Sequence, residues 1–155
     1  MIEKKEIANE KTILIGTIKP GETDELIQEH LSELELLAET AGAEVIGKIT
    51  QRISKINSAT FVGKGKSIQI INQAIELNAK LIIFDDELSP AQIKNYHNLS
   101  DKIKVLDRSG LILDIFRKHA RTKESTTQVD LAYLEYLLPR LTRQWTHLEL
   151  SLIHI

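Results

Sequence analysis

Apolar positions in this sequence fall into short continuous runs and longer stretches of helical spacing, and the two kinds take turns. Residues 11–18, KTILIGTI, form the first run, a buried strand ended by the turn Lys19-Pro20-Gly21. Thr23 stands where a helix cap belongs, with Asp24 and Glu25 in the first turn, where carboxylates suit the helix dipole. Ile27, Leu31, Leu34, Ala38 and Ala41 follow at helical spacing, and Gly42 ends the helix. Glu25, Glu29 and Glu33 line another face, which reads as solvated surface.

Residues 43–53 alternate well enough for a second strand. Ser58–Val62 reads as extended and leads into Gly63-Lys64-Gly65-Lys66. A helix follows, with Ile68, Ile71, Ala74, Ile75 and Leu77 on or beside its apolar face. Lys80–Phe84 is another apolar strand, closed by Asp85-Asp86-Glu87. Ser89-Pro90-Ala91-Gln92 predicts a helix start, Ser and Gln forming a capping box with Pro at the first helical position. Ile103–Leu106 is a short last strand, after which Asp107 or Ser109 caps a helix holding Leu111, Ile112, Ile115 and Phe116. Alternating strands and helices predict an α/β fold, a small, largely parallel sheet with flanking helices, within a first domain of residues 1–120.

From Glu124 the pattern changes, and residues 121–155 read as a separate, long C-terminal helix. Ser125 and Gln128 offer a second capping box. Leu131, Leu134, Leu138, Leu141, Trp145 and Leu148 then form a heptad seam, the mark of a helix that pairs with another. Pro139 lies inside it and predicts a kink. No second seam follows, so Leu131, Leu134, Leu138, Leu141 and Trp145 are candidates for self-association.

Composition narrows the chemistry. With 42% hydrophobic and 27% charged residues among 155, a packed core is within reach, and 5% aromatics make it an aliphatic one. There is no cysteine, which excludes disulfides, thiolate metal sites and cysteine nucleophiles and suits a cytoplasmic protein. No membrane span and no signal peptide are expected. Residues 1–100 carry 11 Lys/Arg against 15 Asp/Glu and residues 101–155 carry 9 against 7, which points any nucleic-acid contact towards the C-terminus.

Three constellations are candidates for chemistry. Gly63, Lys64, Gly65 and Lys66 form a possible anion-binding turn through free backbone N–H groups at a helix start. They lack the glycine spacing of a phosphate loop, and a plain strand-to-helix turn is the alternative. Asp85, Asp86 and Glu87 follow a strand, where open sheets bind ligands; they are either a hard-cation site or a solvated turn, and the absence of a completing motif favours the turn. The five histidines, His30, His97, His119, His147 and His154, show no metal-ligand spacing, so no metal site is predicted. The third is on the long helix. Tyr136, Arg140, Arg143 and His147 form a stripe offset by two residues from the leucine seam, about 200° of helix rotation. Arginine forks fit phosphate and aromatic rings stack on bases, so this stripe is an RNA-binding candidate. Arg117, Lys118, Arg121 and Lys123 form a basic run just upstream. A solvated helix face with a charged linker is the alternative. No catalytic residue is predicted.

FVGKGK (61–66), IIFDDELSPAQIKN (82–95) and above all residues 105–148, ending LEYLLPRLTRQWTHL, resemble the HflX family of ribosome-associated GTPases. The resemblance implies an N-terminal α/β subdomain, then two long antiparallel helices, of which 121–155 would supply half, then a P-loop GTPase domain. It implies binding to the large ribosomal subunit and its 23S rRNA, ribosome splitting, contact with the protein's own G domain, and GTP and magnesium as cofactors of the full-length parent. This sequence contains no GTP-binding motif and departs from the family pattern after Leu148, so GTPase residues cannot be carried over and the chain alone is expected to be inactive. The rival expectations are an ATP- or nucleotide-binding α/β domain and an interaction module dimerising through the seam.

Overall fold

The computed structural model describes Ile7 and residues 9–122, with side chains up to Lys118. Strands and helices alternate throughout: β1 (Lys11–Ile18), α1 (Asp24–Thr40), β2 (Glu44–Arg52), α2 (Lys64–Glu76), β3 (Leu81–Phe84), α3 (Pro90–Leu99), β4 (Lys104–Asp107) and α4 (Arg108–Thr122). Every neighbouring pair of strands is parallel, in the order β2-β1-β3-β4. The predicted α/β class with a small parallel sheet is therefore what forms. The leucine seam, Pro139 and the second capping box lie outside the described residues.

The strand sequences explain the order. β1 and β3 occupy the centre and are covered on both faces, so they read as unbroken apolar runs. Odd and even positions separate onto two layers. Ile13, Ile15, Ile82 and Phe84 face α2 and α3 with Ile70, Ile71, Ala74 and Tyr96. Leu14, Leu81 and Ile83 face α1 and α4 with Ile27, Leu31, Leu34, Ala38 and Leu111. Each fully buried aliphatic side chain contributes about 1.5–3 kcal/mol. β2, at the edge, alternates half-buried and exposed residues instead. Gly16 lets α1 approach β1, because a Cβ there would sit 2.8 Å from Ile27 Cγ2.

Caps fall where the sequence puts them. The Thr23 hydroxyl accepts from Leu26 N at 3.1 Å, and Ser89 and Gln92 form the reciprocal capping box. Asp107, rather than Ser109, starts α4, its Oδ1 accepting from Gly110 N at 2.8 Å. α1 ends with Gly42 at φ 97°, Ala43 N donating to Ala38 O and Gly42 N to Glu39 O.

Two expectations need correction. Residues 58–62 are not extended: Asn57 and Phe61 pair across a tight loop, and Phe61 adopts φ 71°. The Asn57 side chain draws the loop in, its Oδ1 accepting from the backbone N of Ala59 and Thr60 at 2.8 and 2.9 Å. The buried face of α2 is Ser67, Ile70, Ile71 and Ala74, while Ile68, Ile75 and Leu77 are exposed. Apolar residues surround this helix, so periodicity alone did not choose the face; the sheet did.

Candidate functional site

β1 connects through α1 to β2 on one side, and the chain then crosses through α2 to β3 on the other. The carboxyl ends of β1 and β3 thus flank the point where connections diverge, the crevice in which open parallel sheets bind ligands. Lys19 follows β1 there, and Asp85, Asp86 and Glu87 follow β3.

The three acids turn to separate sets of partners. Asp86 accepts from Thr17 Oγ1 and Lys19 Nζ, both at 2.6 Å. Asp85 Oδ1 accepts from Arg108 Nε at 3.1 Å and Nη2 at 2.5 Å, and its Oδ2 lies 3.7 Å from His30 Nδ1. Arg108 also reaches Glu33 at 3.4 Å. Glu87 accepts from the Ser109 hydroxyl. Burial pushes the Asp85 carboxyl above its ordinary value, against the pull of Arg108; Asp86 adds to the rise and His30 opposes it. A cation needs carboxylates that converge, and these diverge into a latch joining β1, β3, α1 and α4.

Lys19 Nζ also stands 5.8 Å from the centre of the Phe61 ring. The loop carrying Phe61 is fixed to α3 by three bonds: Gln92 Nε2 to Asn57 O at 2.8 Å, Asn95 Nδ2 to Ala59 O at 2.8 Å, and Tyr96 Oη to Thr60 O at 2.9 Å. Burial raises the Tyr96 hydroxyl pKa, keeping it a donor.

The candidate turn 63–66 follows directly. Gly63 holds φ 101° and ψ 154°, a region open essentially only to glycine, and α2 starts there without a side-chain cap. Lys64 and Gly65 are exposed. Lys66 Nζ donates to Arg52 O at 3.0 Å, and the buried Ser67 donates to Lys64 O at 2.7 Å. In a phosphate loop that hydroxyl would hold magnesium; here it is turned into its own helix.

Of the basic run, Arg117 is exposed on α4, beside a cavity of about 190 Å³ that His97, Lys104 and Asp114 also line. Lys118 donates to Ala41 O, at the negative end of α1, and lies 3.9 Å from Asp114. Arg121 falls within α4, and Lys123, Tyr136, Arg140, Arg143 and His147 lie outside the described residues. The structure thus separates Lys118 from Arg117 by use. Sequence reading missed Thr17, Lys19, His30 and Arg108. Lys19 directly after a buried strand was a signal, but nothing in spacing ties it to Asp86.

The fold defines a small, open, all-parallel α/β unit with flanking helices. Residues 28–117 match the family described as GTP-binding GTPase N-terminal, and residues 119–152 match the GTP-binding GTPase Middle Region. The chain belongs to the GTP-binding GTPase N-terminal family, as its resemblance to HflX proteins implied. It is 46% identical over 149 residues to the GTPase HflX of Flavobacterium psychrophilum, covering 96% of this chain and 36% of that protein. With the GTPase HflX of Escherichia coli it shares 41% over 142 residues, 92% of this chain and 32% of the relative. The chain therefore spans about a third of the length of the curated relatives it matches. Among solved structures, it resembles a GTP-binding protein of Sulfolobus solfataricus in complex with GDP, with a TM-score of 0.54 and 28% identity over 88% of this chain and 40% of that one. Among the described residues no helix is long and apolar enough to cross a membrane.

Proposed function

We propose that this chain is the ribosome-facing part of an HflX-type GTPase, which docks on 23S rRNA of the large subunit and helps to split ribosomes in the cytoplasm. GTP and magnesium belong, in this reading, to a P-loop G domain outside this sequence, and that domain is its intramolecular partner. The observation that carries the proposal is the 46% identity to an HflX GTPase over 96% of the chain. The geometry supports binding over catalysis: the acids at the switch point hold Lys19, Arg108 and Ser109, and the Ser67 hydroxyl is engaged inside α2. Arg140 and Arg143 are the first phosphate contacts in this reading, supported by Tyr136, His147, Arg117, Arg121 and Lys123.

Co-sedimentation with large ribosomal subunits over a salt series tests it. Binding should weaken steeply with salt and fall in Arg140→Ala/Arg143→Ala. Binding indifferent to both salt and these substitutions removes the RNA contact. ATP with magnesium, titrated by calorimetry, addresses the rival nucleotide-binding reading; heat lost in Asp85→Asn or Gly65→Val would favour that rival.

A further inference from the structure

Charge in the α/β unit is sorted by segment. From Val45 to Ile75 there is no acidic residue, while Lys48, Arg52, Lys55, Lys64 and Lys66 are all basic, in a chain of net charge −2. Lys48 is taken by Glu35 of α1 at 2.7 Å. The other four belong to one region: Arg52 closes β2, Lys55 lies in the following loop, and Lys64 and Lys66 open α2. The bond from Lys66 Nζ to Arg52 O brings the start of α2 against the end of β2.

We infer that Arg52, Lys55, Lys64 and Lys66 form a second contact surface for an RNA phosphate backbone, apart from the arginine stripe of residues 136–147. The inference rests on the rRNA-docking reading and adds a surface to it. Lys55 and Lys64 are exposed. Arg52 has one acidic neighbour, Asp24 at 3.3 Å, and both side chains are about two-thirds exposed (68% and 66%). Such a pair is worth little and exchanges readily for a phosphate. Protein–protein interfaces are depleted in lysine, whereas clustered lysine and arginine of one sign mark a polyanion surface. The frame is rigid, because the loop between Lys55 and Lys64 is bonded to Gln92, Asn95 and Tyr96. A Cβ at Gly65 would meet nothing within 4 Å, so a strand can approach the backbone there closely.

The test uses the whole chain, Lys55→Glu/Lys64→Glu, Lys55→Arg/Lys64→Arg and Arg140→Ala/Arg143→Ala, each titrated with large ribosomal subunits over a salt series. The charge-reversed pair should lower the log affinity–log salt slope by about 2, roughly 1 per lost phosphate contact, with an unchanged thermal midpoint. Lys55→Arg/Lys64→Arg should bind like the parent, and Arg140→Ala/Arg143→Ala should bind more weakly. Parent-like affinity and slope in the charge-reversed pair, with the parent chain binding subunits, overturn this inference and leave rRNA docking standing. If the parent chain ignores subunits, the docking reading falls, and a free RNA hairpin decides the patch: binding lost on charge reversal supports it, and equal binding overturns it. A variant that binds RNA normally but loses self-association on sedimentation also overturns it, in favour of the acidic face of a second copy.

Discussion

Helices α1 and α2 both leave the carboxyl edge of the sheet, α1 covering one face and α2 the other, yet they begin in opposite ways. α1 is capped by Thr23, carries Asp24 and Glu25 in its first turn, and holds four more acids, Glu29, Glu33, Glu35 and Glu39, with no Lys or Arg. Its N-terminal N–H groups are answered from within. α2 starts at Gly63, whose dihedral angles exclude a capping Ser, Thr or Asp, and its first turn carries Lys64 and Lys66. One helix neutralises its own dipole and the other reinforces it. Two crossovers of one sheet thus begin with opposite fields, and the Gly63 backbone angle accounts for the missing cap.

The largest effect separates buried from exposed positions on the two helices. Leu31→Ala on α1 and Ile71→Ala on α2 should each cost about 2–5 kcal/mol by urea unfolding, and Ile75→Ala less than about 0.5. An Ile75 cost equal to that of Ile71 would break the assignment of the α2 face. Next come the two glycines. Gly16→Ala should cost about 1–3 kcal/mol by overpacking against Ile27 and Leu31. Gly63→Ala should cost a similar 1–3 kcal/mol by strain alone, since the space around its Cβ is open. Thr23→Ala removes the α1 cap, for about 1 kcal/mol, whereas α2 has no such bond to lose; thermal melts of both helices' variants expose the contrast.

The smallest effect is a pH dependence where α1 meets the latch through His30 and Glu33. The Asp85 pKa is raised in the folded state, so between its ordinary value of 3.8 and the raised one the native protein holds a proton that the unfolded chain has released. The contribution of Asp85 to stability is complete below 3.8 and is lost as pH rises through the folded value. The difference between the parent and Asp85→Asn stability curves should fall with pH across that window; a difference that rises contradicts the assignment.

What was legible in the sequence followed from local chemistry. Thr23, Ser89 with Gln92, and Gly42 set helix ends through bonds within a few residues, and those ends are where the pattern put them. The runs of β1 and β3 announced central strands. The sheet order, the loop at 57–62 and the latch were not legible, because they depend on partners far away. Lys19 meets Asp86 across 67 residues and Arg108 meets Glu33 across 75. That Asp85-Asp86-Glu87 follow a strand directly was legible; the partners they take were not. On α2, apolar side chains on every side left the buried face to the sheet.

Gly16 and Gly63 are glycines for different reasons, and handedness tells them apart. At φ 101° and ψ 154°, position 63 mirrors φ −101° and ψ −154°, at the border of the extended region, so a residue of D configuration is strained less there than one of L configuration. A semisynthetic chain with D-alanine at 63 should therefore be more stable than Gly63→Ala, since both substitutions narrow the freedom of the unfolded chain alike. Such a chain would keep its lysines and its uncapped helix start, and would show that chirality, not size, is what this turn selects against.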